Sequence, residues 1–101
     1  MVTKGLSDKE VLAQVRDLVG KGHIRWKRHA TERMAERGYD PGQIKEVLLR
    51  GQFNERPTMA NIGGPTQYAF RLACRVDREL IRVAASLVPE QHVVVITVID
   101  P

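Results

Sequence analysis

TQYAFRLACRVDRELIRVAASLV, residues 66–88, is the stretch that decides how this chain folds. Its first half alternates. Tyr68, Phe70, Leu72, Cys74 and Val76 point one way, and Gln67, Ala69, Arg71, Ala73 and Arg75 point the other. Asp77-Arg78 then has the length of a two-residue hairpin turn, although it is not the preferred Asn-Gly pair, and a second apolar run follows. A turn of that length fixes the register. Val76 faces Glu79, Ala73 faces Arg82 and Ala69 faces Ser86. Cross-strand partners share a face, so Ile81, Val83, Ala85 and Leu87 join the Tyr68–Val76 side. The opposite side carries Arg71, Arg75 and Arg82 among Ala69, Ala73, Ala84 and Ser86, with no acidic neighbour in the hairpin strands. The expected result is a flat, open, basic sheet surface.

The chain outside the hairpin completes the plan. HVVVITVI, residues 92–99, is apolar on both sides and belongs inside the sheet, with Pro89-Glu90-Gln91 as the turn before it. Two helix starts stand upstream. In LSDKEV, Ser7 is the N-cap and Glu10 the third helical residue of a capping box, with Leu6 and Val11 as the staple around it. Val11, Leu12, Val15, Leu18 and Val19 continue with helical period over about 7–19, until Gly20 and Gly22 stop the helix. YDPGQI repeats the device, with Asp40 as cap, Pro41 first in the helix, Gln43 closing the box, and Ile44, Val47 and Leu48 as the buried stripe before Gly51.

Between these helices, HIRWK (23–27) reads as a short edge strand or an extended lead-in. HATERMAER reads as a helix of about two turns ended by Gly38, with Ala30 and Met34 toward the core. RPTMANIGGPT (56–66) is the loosest segment. The fold class is therefore α+β in one domain spanning 1–101: N-terminal helices packed on one face of a mainly antiparallel sheet whose other face stays open.

Bulk properties narrow the function. The chain has 101 residues, 43% hydrophobic and 28% charged, an ordinary globular composition. Net charge is +4, which suits a polyanionic partner. Cys74 is the one cysteine and reads as a small buried thiol, so no internal disulfide or cysteine metal cluster forms. His23, His29 and His92 lack metal-ligand spacing, and Gly63-Gly64-Pro65 lacks the Lys-Ser/Thr of a phosphate loop. MVTKGLSDKE has no apolar signal-type segment and no run approaches membrane-spanning length, so the expected location is the cytoplasm.

The chemistry left open is cationic. Arginine offers permanent, bidentate contacts to phosphates, and small neighbours let a nucleic-acid backbone come close. Arg71, Arg75 and Arg82 are the candidates for such contacts. His29, Arg33 and Arg37 stack at i, i+4, i+8 on the middle helical segment, an arrangement of like charges that costs an isolated helix a few tenths of a kcal/mol. Arg33 and Arg37 are candidates for a second phosphate-binding row, and His29 for proton transfer near neutral pH. Glu36 and Glu32 are spaced to offset Arg33 and Arg28. No Ser-His-Asp signature or acidic pair suggests another hydrolytic class. RNA cleavage by the ribose 2′-hydroxyl fits, because the substrate supplies its own nucleophile and the protein supplies proton carriers and cations. On that reading His29 and Arg82 are the catalytic candidates.

HATERMAERGYDPGQIKEVLLRGQ, followed by a strand-rich end closing in VVVITVI, resembles a small bacterial domain family of unknown function, numbered 4258. The signature His-Ala-x-x-Arg-Met-x-x-Arg-Gly falls on His29, Ala30, Arg33, Met34, Arg37 and Gly38, and the likeness covers about residues 23–99. LAQVRDLVGKGHIRWKRHA is also similar to the corresponding part of MqsR-type toxins, whose fold is like that of the RelE superfamily of mRNA interferases. This resemblance implies a type II toxin: a ribosome-independent, metal-free endoribonuclease without cofactor, acting on RNA. It would be restrained by a protein antitoxin, often of zinc-finger and helix-turn-helix type. The chain departs from the MqsR pattern at Val98-Ile99-Asp100-Pro101, which lacks the lysine those toxins carry near this end. The alternative is a non-catalytic module that binds an acidic protein partner or nucleic acid.

Overall fold

The computed structural model describes residues 5–60 and 66–99. Its centre is the hairpin of β4 (Gln67–Val76) and β5 (Glu79–Val88). Asp77 and Arg78 both take left-handed backbone, φ 52° and 69°, the twist a two-residue hairpin turn requires. The register is the expected one, with Val76 against Glu79, Ala73 against Arg82 and Ala69 against Ser86.

β6 (His92–Ile99) returns antiparallel to β5 after the turn at Pro89-Glu90-Gln91, where Glu90 is left-handed at φ 66°. Its register slips once. Ala85 pairs with Val95 but Ala84 with Thr97, so Ile96 is the extra residue of a β-bulge. β1 (Ile24–Trp26) lies parallel to β6 on its far side, pairing Ile24, Arg25 and Trp26 with Val93, Val94 and Val95. β6 is thus interior, as its apolar content on both faces demands.

Two strands were not expected. β2 (Gln52–Phe53) and β3 (Thr58–Ala60) both pair with the outer side of β4. Each is too short to show alternation, and β3 lies in the segment read as loose. They form because the free side of β4 offers unpaired backbone donors and acceptors. The sheet is therefore six-stranded in the order β1-β6-β5-β4-β2, with β3 also on β4. Gly63-Gly64-Pro65 lies outside the described residues.

All of α1 (Asp8–Gly20), α2 (Arg28–Arg37) and α3 (Pro41–Arg50) bury residues in the same core. Both capping boxes are present, at Ser7/Glu10 and at Asp40/Gln43. Val11, Val15, Ile44, Val47 and Ala30 are fully covered against Leu72, Val83 and Leu87. Burying each of the larger aliphatic side chains contributes about 1.5–3 kcal/mol, so the sheet face they cover is fixed by the hairpin register. α2 begins one residue earlier than expected, at Arg28, and ends as expected at Gly38, left-handed at φ 73°. Polar clips hold the helix layer over the sheet ends. Glu90 N donates to Gln14 Oε1 at 2.9 Å, and Gln43 Nε2 to Asp77 Oδ2 at 3.3 Å. Cys74 departs from the expected buried thiol: it is half-buried, its Sγ 3.6 Å from the Arg75 carbonyl.

Gly51 makes the tightest passage, where α3 gives way to β2. A Cβ there would collide with the Val47 carbonyl oxygen and lie 3.0 Å from that of Ala73. Gly20, at the end of α1, has nothing within 4 Å of the same position. Gly51→Ala is expected to destabilise the protein by about 1–3 kcal/mol through backbone displacement, and Gly20→Ala to stabilise it by up to about 1 kcal/mol. Urea denaturation midpoints of the two variants measure both.

Candidate nucleic-acid interface

With the helices on one side, the other side of the sheet is built from the alternate residues of β4, β5 and β6. Arg71 and Arg75 are four residues apart on β4, a rise of about 13 Å. Arg82 pairs with Ala73, midway between them on the adjacent strand. The register thus gathers the predicted arginines into a triangle on the uncovered side, with Ala73 between them and Ala69 and Ala84 beside Arg71. Arg75 is exposed and Arg82 half-buried. The Arg82 Nε is shut off from solvent and has no hydrogen-bond partner among the described residues. A buried donor left unpaired costs about 1–3 kcal/mol.

Three features correct the simple cationic platform. Glu55, on the connection between β2 and β3, reaches Arg71, with Oε1 3.2 Å from Nη1, so the face does include an acid. That pair is more than half exposed on both sides, a screened contact that a competing anion can replace. Ser86 is buried, not open, and donates from Oγ to Gln67 Oε1 at 3.0 Å. The β6 half of the face is apolar, through Val94 and the bulged Ile96, which is 37% exposed.

Two hollows open on this face. One, of about 300 Å³, is lined by Glu55, Arg56, Thr58, Ala69, Arg71 and Ile96 among others. The second, of about 390 Å³, is lined by Arg25, Trp26, Lys27, Gln67, Ser86, His92, Val94 and Ile96 among others. Ile96 belongs to both and forms the ridge between them. The sequence reading missed Arg25, Trp26, Lys27 and His92 as site residues. Only the parallel pairing of β1 with β6 brings them together, and the one available signal was that an interior β6 needs a partner on each side. Burial in the second hollow lowers the His92 pKa from 6.5, and Arg25 lowers it further.

His29, Arg33 and Arg37 do share one face of α2, apart from the hairpin arginines, and they line neither hollow. His29 is exposed. Arg33 is partly covered and pairs with Glu36 at 3.5 Å, and Arg28 pairs with Glu32 at 3.1 Å, the two offsets the spacing suggested. Arg33 and Arg37 both have partners within the protein. The repulsion in this row is thereby reduced without any ligand. Among the described residues no cluster of His, Cys, Asp or Glu is placed to hold a metal, and no helix is long and apolar enough to cross a membrane.

Residues 26–100 match the family model described as a domain of unknown function, DUF4258. The chain belongs to the DUF4258 family. The matched span takes in α2, α3, β2 to β6 and every candidate residue named from the sequence, whereas α1 and Arg25 precede it. No curated protein and no solved structure matches the chain.

The His92 shift has a stability consequence. The folded pKa lies below the unfolded 6.5, so the unfolded chain takes up the proton first as pH falls. Stability is expected to drop as pH passes down through 6.5 toward the folded value. Thermal unfolding at about pH 7.5 and about pH 5.5 should show a smaller loss for His92→Gln than for the parent.

Proposed function

We propose that the uncovered sheet face of this DUF4258 domain binds single-stranded RNA. The observation that carries the reading is the placement of Arg71, Arg75 and Arg82 together on the side without helices, over small side chains and with one guanidinium donor unpaired. Arg25 and Lys27 add positive charge across the face, three strands from β4 and about 14 Å away. A strand laid across it meets cations at both margins and an apolar floor between, the combination that favours unpaired bases over a duplex.

The activity proposed for such binding is metal-independent cleavage, in a RelE- or MqsR-like toxin held by a protein antitoxin. The ribose 2′-oxygen would attack the adjacent phosphorus as the bond to the 5′-oxygen breaks, leaving a 2′,3′-cyclic phosphate and a 5′-hydroxyl. Arg82 would stabilise the charge gathering on the phosphoryl oxygens. His29 is the sequence-based choice for proton transfer, yet no contact joins it to Arg82, so the geometry supports binding better than it supports cleavage. A second reading has one observation in its favour. Arg71 already holds the carboxylate of Glu55, so an acidic protein segment could dock on the same guanidinium groups.

Binding and cleavage separate experimentally. RNA affinity should fall with salt, with a log–log slope of about −2 for three phosphate contacts on a single strand. Arg82→Ala should flatten that slope by about 0.7 without unfolding the protein. Fragmentation of RNA with EDTA present, lost in Arg82→Ala, would support the nuclease. Intact RNA together with capture of an acidic protein partner would favour the second reading, and a salt slope unmoved by Arg71→Ala and Arg82→Ala would overturn the RNA interface.

A further inference from the structure

The second hollow of the uncovered face differs from the first in its charge. Arg25, Lys27 and His92 line it, and no carboxylate is among its lining residues, whereas Glu55 sits in the first. Arg25 also borders the recess next to it, together with His23 and His92, so polar groups continue round this corner. Like charges held together without a counter-ion favour a bound anion. The floor is Val94 and Ile96, and Trp26 borders it from β1, its side chain packed toward the core beside Val95. The bond from Ser86 Oγ occupies the acceptor oxygen of Gln67 and leaves the amide Nε2 as a donor to a ligand. The volume, about 390 Å³, falls within the range of roughly 300–1,000 Å³ found for small-ligand sites.

We infer that this hollow is a nucleotide subsite, taking one nucleotide of a bound RNA strand with its phosphate at Arg25 and Lys27 and its base on Val94 and Ile96. The inference rests on the RNA-binding reading and adds a position to it. The Ile96 ridge separates this nucleotide from the neighbour beside Arg71. An apolar floor of valine and isoleucine holds a base by exclusion of water. A guanidinium at the rim takes the phosphate bidentately. The Gln67 donors meet acceptor atoms on the base edge, which gives the subsite a means of preferring some bases over others.

Trp26 is the one tryptophan of the chain and borders this hollow between Arg25 and Lys27, so its emission responds to an anion bound at those two residues. An unlabelled single-stranded RNA heptamer is titrated into the full-length protein while Trp26 emission is followed, and the anisotropy of a fluorescein-labelled copy reports total binding. Emission should change saturably and in step with anisotropy. Arg25→Ala with Lys27→Ala, both at exposed positions, should abolish the emission change and weaken binding at least tenfold, with the circular dichroism unchanged. Arg82→Ala should keep the emission change at higher RNA concentration. Binding that is weakened by Arg82→Ala, while Trp26 emission and the affinity of the double variant stay as in the parent, overturns the subsite and leaves the RNA interface standing. If the heptamer does not bind, the RNA interface falls, and cytidine 3′-monophosphate decides the subsite. A saturable Trp26 response to it sustains the pocket, and none overturns that too.

Discussion

The backbone conformation of Asp77 and Arg78 constrains everything else in this molecule. With both residues left-handed, the turn closes in two residues and leaves no freedom in how β4 faces β5. Strand side chains alternate with period two, so a slip of one residue in β5 against β4 would exchange its two faces. The aliphatic side chains of that strand would then point away from the helices, and Arg82 would point into the core. The apolar side and the arginine side are two results of a single register.

The second geometric event is the bulge in β6. Before it, Val93 and Val95 continue the core beneath the helices, and after it Val98 does so again. Ile96, inserted between them, is displaced to the uncovered side and divides that surface in two. One half is bounded by Arg71 and Arg56, the other by Arg25 and Lys27. The sheet therefore offers a partitioned trough and not a level plane.

Most of the fold was legible because its signals are local. The capping boxes at Ser7 and Asp40, the glycine after α2, the hairpin and the interior position of β6 each depend on a few neighbouring residues. The interface was legible only in part. Arg71, Arg75 and Arg82 follow from alternation. The pairing of Glu55 with Arg71, the bulge at Ile96 and the parallel contact of β1 with β6 each join segments through the tertiary fold, and no short pattern encodes them. The row on α2 shows the opposite risk. His29, Arg33 and Arg37 do stack as the spacing says, yet Glu36 on the same helix already pairs with Arg33 in the middle of the row.

The strands at the margins of the sheet are short, with β1 at one side and β2 and β3 at the other. The long central strands β4 and β6 are thereby screened along much of their length by brief segments. β1 also places Arg25 and Lys27 at or beside its end. Little continuous backbone is left for a foreign strand to add to, and charge discourages its approach. The same two cations that border the trough thus also oppose edge-to-edge joining of one sheet to another.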